Sequence, residues 1–313
     1  TNLQKFNLER NQLTAVPPEI GQLTNVTSLS LNQNQLRTIP PEIGQLTNLQ
    51  KFNLERNQLT AVPPEIGQLT NVTSLSLNQN QLRTIPPEIG QLTNLQKFNL
   101  DSNQLMVMPP EIGQLTGLTS FSLSSNQLTT VPPEISQLTS LTSLYLVDNQ
   151  LMSIPPEIGQ LTSLTSLYLN KNELTSVPPE IGQLTSLINF RIADNQLTAV
   201  PPEIGQLTSL TSLYLNDNQL TMLPPMLRRL TKLEKLHLYG NPLPLPPELL
   251  GDWRNPGNPQ AILDAYFQTS RPLREAKLLL VGEGDVGKTA TINRLLHNRF
   301  SEARSKTIGV DIH

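Results

Sequence analysis

Residues 141–151 read Leu141-Thr142-Ser143-Leu144-Tyr145-Leu146-Val147-Asp148-Asn149-Gln150-Leu151, and a proline pair follows at 155–156. Leucine holds the first, fourth, sixth and eleventh places and asparagine the ninth, which gives the frame L-x-x-L-x-L-x-x-N-x-L. Working outward, the asparagine recurs at 11, 34, 57, 80, 103, 126, 149, 172, 195, 218 and 241, always 23 residues apart. Residues Thr1–Leu46 and Thr47–Leu92 are identical, so the array contains a copied two-repeat unit. A fixed period of this size is the mark of a solenoid. Alternation such as Leu144-Tyr145-Leu146 predicts a short strand with one face in and one face out. Stacked at about 4.8 Å per coil, eleven such strands make a parallel sheet roughly 50 Å long. The middle apolar place is Leu or Phe (Phe6, Leu29, Phe52, Phe98, Phe121, Phe190), which predicts core packing there. The short amide of each Asn is expected to turn the chain off the strand and to bond backbone groups of adjacent coils. The proline pairs hold 22 of the 27 prolines, so they must lie away from the sheet. Pro-Pro-Glu-Ile suits the start of a short helix, with fixed φ and a carboxylate at the positive end. The Glu series therefore reads as a helix-start feature, and no catalytic pair is assigned to it.

The frame resembles the leucine-rich repeat. Read with the residues, it implies an α/β solenoid over 1–250 with eleven 23-residue coils. The parallel sheet would line the concave face and short helical or 3-10 turns the convex face. Near its end the pattern frays: Pro225-Met226-Leu227-Arg228-Arg229 replaces the usual Pro-Glu-Ile-Gly-Gln, and the next coil is one residue short. An atypical last repeat is the expected cap. Residues 251–273 would form this cap and a linker helix. Trp253 is expected to close the last coil, with Asn258 capping a helix that Pro259 starts. Thr1 opens inside a coil, so an uncovered apolar end is expected there.

Composition narrows the function classes. The 22 basic and 25 acidic residues leave a net charge of −3, which gives no reason to expect nucleic acid as the main partner. No apolar run approaches the roughly 18 residues of a spanning helix. There is no cysteine, hence neither disulfides nor thiolate metal sites, and this fits a cytoplasmic setting; no leader segment is visible. Residues 1–250 hold 13 basic and 18 acidic groups, while 251–313 hold 9 and 7, so two unlike pieces are joined.

One outward column of the strands changes character along the array. It reads Asn7, Ser30, Asn53, Ser76, Asn99, Ser122 and then Tyr145, Tyr168, Arg191, Tyr214, His237, with Tyr239 two residues further on. Tyr and Arg are enriched at binding hot spots, so coils seven to eleven are expected to bind a protein or peptide, or the protein's own downstream domain. The other reading is that the rings merely pack against one another on an exposed sheet. His237 stands without a second ligand in its register, so no metal is assigned to it.

The last segment carries different chemistry. Lys277-Leu278-Leu279-Leu280-Val281 reads as a buried strand and runs into Gly282-Glu283-Gly284-Asp285-Val286-Gly287-Lys288-Thr289. This is G-x-x-x-x-G-K-T, in which backbone N–H groups curl around phosphate oxygens at the mouth of a helix. Lys288 would reach the outer phosphates and the Thr289 hydroxyl would ligate Mg²⁺; Gly282, Gly284, Asp285, Val286, Gly287 and Ala290 complete the candidate nucleotide site. Thr307-Ile308-Gly309-Val310-Asp311 resembles the first switch of Ras-like GTPases, and by that resemblance Thr307 is a second Mg²⁺ ligand. Repeats, a linker helix and a Ras-like loop in this order resemble the Roco family, in which a Roc GTPase domain follows the array. The resemblance implies GTP/GDP and Mg²⁺ as cofactors and a Roc start at 274–313. The D-x-x-G and N-K-x-D motifs of that class do not occur in the chain, and Asn170-Lys171-Asn172-Glu173 falls on the repeat frame. Weak GTP binding and negligible hydrolysis are therefore expected of this chain alone, and micromolar affinity selective over ATP would overturn that. A repeat scaffold without nucleotide activity is the alternative; a kinase or ATPase shares the octet but not Thr307–Asp311.

Overall fold

The computed structural model describes residues 3–252, 254 and 256–269. Among them, eleven three-residue strands run from β1 (Lys5–Asn7) to β11 (Lys235–His237) and form one parallel sheet in sequence order. Registry is one repeat per rung, so Leu144 pairs with Leu167 and Tyr145 with Tyr168. Ten 3-10 turns lie opposite, from Pro18–Gln22 to Pro225–Arg229, each starting at the second proline of a pair. Nine of the ten carry a Glu in the first turn, as the dipole favours; the exception is Pro225–Arg229. Between sheet and turns lies one continuous apolar core, with Phe52, Phe98, Phe121 and Phe190 fully buried. In β1, which has a neighbour on one side only, Phe6 is half-buried.

The asparagine ladder is realised from Asn34 to Asn241. Asn172 Nδ2 donates to the carbonyls of Leu146 (2.9 Å), Leu169 (3.0 Å) and Asn170 (3.3 Å), and its Oδ1 accepts from Leu151 N (3.1 Å). From Asn34 to Asn241 each amide thus satisfies backbone groups of its own coil and of the preceding one, while Asn11 bonds only Leu8 O and Glu9 O of its own coil. The turn itself is made elsewhere than expected. It is the residue before each ladder Asn that adopts left-handed backbone, as in Lys171 (φ 55°), Asp194 (53°) and Asp217 (52°), with Gly240 (70°) in the last coil. A side chain there costs about 1–2 kcal/mol of local strain, which the cross-coil bonds offset; Lys171 N, for instance, donates to Ala193 O at 3.0 Å.

The departures in the tenth coil have a physical reason. Helix α1 (Pro247–Leu250) is followed by α2 (Pro259–Thr269), whose Ile262, Leu263 and Tyr266 join the repeat core. Asn258 Oδ1 accepts from Ala261 N at 3.0 Å, the N-cap read from the sequence. The Tyr266 hydroxyl accepts from Leu223 N at 3.0 Å, and Arg228 pairs with Asp264 at 3.4 Å while lying 5.7 Å over the Phe267 ring. Arg228, at the place of the usual Gly, meets α2 with its side chain, whereas Met226 lies against Gly205 of the preceding turn. Most ordinary turns carry Gly here, where the next turn comes close: a Cβ on Gly67 would lie 2.6 Å from Glu88 O, although Ser136 is accommodated in Pro133–Gln137. Trp253 lies outside the described residues.

Candidate functional site

Parallel in-register strands place equivalent side chains about 4.8 Å apart, close to the distance at which flat groups stack. Coils seven to eleven use this. Tyr145 and Tyr168 stack with centroids 4.9 Å apart and planes at 12°. The Arg191 guanidinium follows, 5.2 Å from the Tyr168 ring and 4.4 Å from that of Tyr214. Tyr214 stacks on His237 at 4.2 Å and 14°, and Tyr239 closes the row edge-on to His237 at 6.1 Å and 70°. The sequence placed all six in one neighbourhood, and the structure joins them into one unbroken stack on the hollow side of the sheet.

Burial is graded along the row. Tyr145, Tyr168, Arg191, Tyr214 and Tyr239 are half-buried, whereas His237 is 5% exposed. The expectation that every residue of this column faces solvent thus fails at His237, because Tyr214 covers one face of the imidazole and Tyr239 abuts it. Burial pushes the His237 pKa down, and the Arg191 and Lys235 charges push the same way. His237 Nδ1 and Arg191 Nε are buried without a hydrogen-bond partner. Among the described residues no carboxylate lies within ion-pair distance of Arg191.

A second row went unnoticed in the sequence. The left-handed turn positions Asp148, Lys171, Asp194 and Asp217 flank the stack and are exposed. Burial and then the Asp217 carboxylate raise the Asp194 pKa, against the pull of Lys171. Burial, Asp217, Asp194, Asp252 and Tyr214 raise that of Tyr239, in that order. Asn216 ties the rows together, donating to Asp217 Oδ2 (2.8 Å) and to the Tyr239 hydroxyl (2.9 Å). The signal was the position just before the ladder Asn, which turns acidic only in these coils. In the earlier coils the equivalent outward column is spent locally: Asn7, Asn53 and Asn99 accept with Oδ1 from the N–H two residues on, at 2.9–3.0 Å. Among the described residues no cluster of three His, Cys, Asp or Glu could hold a metal ion. Gly282, Gly284, Asp285, Val286, Gly287, Lys288, Thr289, Ala290 and Thr307 lie outside the described residues.

Comparison with known proteins agrees with this geometry. The leucine-rich-repeat profile matches residues 1–59, 47–105, 93–151, 162–220 and 184–243, and a two-copy repeat profile matches 139–180. The chain belongs to the leucine-rich-repeat family. A further match, to Roc (Ras of Complex), covers residues 277–313, and repeats followed by Roc are the arrangement of Roco-type proteins. The fold is similar to the plant peptide hormone receptor RGFR1 in complex with RGF2, at 34% identity and TM-score 0.70 over 77% of this chain and 40% of that one. It also resembles the functional domain of InlJ from Listeria monocytogenes, at 25% identity and TM-score 0.67 over 77% and 49%. The chain thus spans less than half of each of these two proteins. No curated protein sequence gives a significant match. No helix among the described residues is long and apolar enough to cross a membrane.

Proposed function

We propose that the chain is the recognition part of a Roco-type GTP-binding protein of the cytoplasm, in which the repeats hold a protein or peptide partner and the Roc segment reads nucleotide. The observation that carries the recognition half is the unbroken stack from Tyr145 to Tyr239, since Tyr and Arg concentrate binding energy when fixed in place. The likeness to a peptide hormone receptor supports a peptide as partner. The partner could also be the protein's own downstream GTPase domain. For the nucleotide half, the support is the octet Gly282–Thr289 and the Roc match. Lys288, Thr289 and Thr307 would hold phosphates and Mg²⁺, and the bound ion would supply charge neutralisation at the phosphates.

The recognition half is tested with a random 12-residue peptide library displayed on phage. Selection on the wild-type chain should yield binders, and Tyr145→Ser/Tyr168→Ser/Tyr214→Ser should lose them. The stacks contribute some stability as well, about 0.2–1 kcal/mol per neighbouring pair, so melting is followed in parallel. Binders that hold equally to the folded triple variant would refute the assignment of this face.

A further inference from the structure

The stack leaves its ring faces occupied. Centroid spacings of 4.2–5.2 Å from Tyr145 to His237 admit no planar guest between neighbours. At the ends of the run, Tyr145 has Ser122 as its next neighbour in register and Tyr239 stands edge-on to His237, so stacking inside the run is closed while its two end rings are not sandwiched. A ligand entering the hollow therefore meets ring edges, which carry the positive end of the quadrupole, together with the guanidinium. Sugars and bases, which bind aromatic residues through their faces, fit this poorly. Arg191 is the centre of the row: its guanidinium carbon lies over both the Tyr168 and the Tyr214 ring, and no carboxylate of the described residues pairs with it. A guanidinium fixed in this way is prepared for a planar, charged acceptor.

The charge changes sign across the strip. Along the strands, Arg191 and Lys235 make the surroundings of His237 cationic, as the depression of its pKa reflects. Along the turns, Asp194 and Asp217 make the surroundings of Tyr239 anionic. Resting on the reading above, we propose that coils eight to ten seat an extended peptide whose Asp or Glu carboxylate sits on Arg191, while a Lys or Arg of the same peptide lies against Asp194 and Asp217. Complementarity of both signs fixes the peptide's placement as well as its affinity.

The test starts from peptides selected on the wild-type chain as above. They should be enriched in an acidic residue with a basic one nearby. Changing that acid to its amide should weaken binding at least tenfold to the wild-type chain but less than threefold to Arg191→Gln. Arg191→Lys, which keeps the charge and loses the fork, should fall between. Asp194→Asn/Asp217→Asn should cut the dependence on the basic residue in the same manner. Lys51→Gln/Lys97→Gln, cations of the other half, should change nothing. Peptides that need the tyrosines yet show no coupling to Arg191 would overturn this inference and leave the binding face standing. No selectable peptide at all would remove both. Should Arg191→Gln fold poorly, the coupling is read between the wild-type chain and Arg191→Lys, on which the acid-to-amide change should cost less than on the wild type.

Discussion

Coils one to six and coils seven to eleven are built on the same rungs and face the hollow with different chemistry. Asn57 Nδ2 donates to Leu31 O (3.0 Å), Leu54 O (3.0 Å) and Glu55 O (3.3 Å) and its Oδ1 accepts from Leu36 N (3.0 Å). Asn172 in the other half matches each of these bonds to within 0.1 Å. Yet the column that presents Asn53 and Ser76 in one half presents Tyr168 and Arg191 in the other. Scaffold and recognition occupy different places of the 23-residue period, so the face can be rewritten while the ladder stays constant.

The sharpest way to break that comparison is to cut the ladder once in each half. Asn57→Ala and Asn172→Ala should each destabilise the array by about 2–4 kcal/mol, since each leaves a buried N–H and carbonyls without partners. Equilibrium urea unfolding should give the two costs within about 0.5 kcal/mol of each other, as expected for equivalent independent sites. A difference well beyond that would mean the halves do not share one scaffold.

Much of this was legible because it follows from spacing alone. Leucines at fixed places put the core where it is, and proline pairs could lie only opposite the sheet. The Asn258-Pro259 start of α2 and the atypical Arg228-Arg229 turn also followed from local rules. Three features were hidden. The left-handed turn falls on Lys171, Asp194 and their equivalents, polar residues whose identity varies, with only Gly240 hinting at the backbone need. Burial of His237 depends on Tyr239 folding over it from the next turn. The partnerless carriage of Arg191 between two rings is a cross-coil fact with no trace in any one repeat.

A smaller effect belongs to the second half alone. His237 is neutral and buried against Tyr214 and Tyr239, with Arg191 and Lys235 as the neighbouring charges, and its pKa is lowered in the fold. The sign follows from linkage. Above the unfolded value near 6.5 both states are neutral and the group adds no pH dependence. As pH falls through 6.5 the unfolded chain takes up the proton first, so stability declines until pH reaches the lower folded value and then levels. His237→Gln should flatten the stability profile on this acidic side and leave it unchanged above pH 7. A profile identical to that of the wild-type chain would show that the imidazole is not held neutral by the stack.

The smallest effect concerns the turn both halves share. Lys171 holds φ 55° and Arg56 φ 53°, conformations that glycine adopts without strain. Lys171→Gly removes about 1–2 kcal/mol of left-handed strain and loses roughly 0.5–1 kcal/mol to the greater freedom of the unfolded chain. The net gain should be about 0.5 kcal/mol, read as a small rise in the unfolding midpoint. Arg56→Gly should gain less, because Arg56 also bonds Gln79 and pairs with Glu55 at 3.5 Å. Near Lys171 the same change withdraws the charge that pulls the Asp194 carboxyl down, so its pKa should climb further. The last coil already has Gly240 at this place, where a Cβ would run into the Asp217 carboxylate. If Lys171→Gly instead lowered the midpoint, the side chain would be contributing more through Asp194 than the backbone loses by twisting, and the acidic row would be part of the scaffold of the second half.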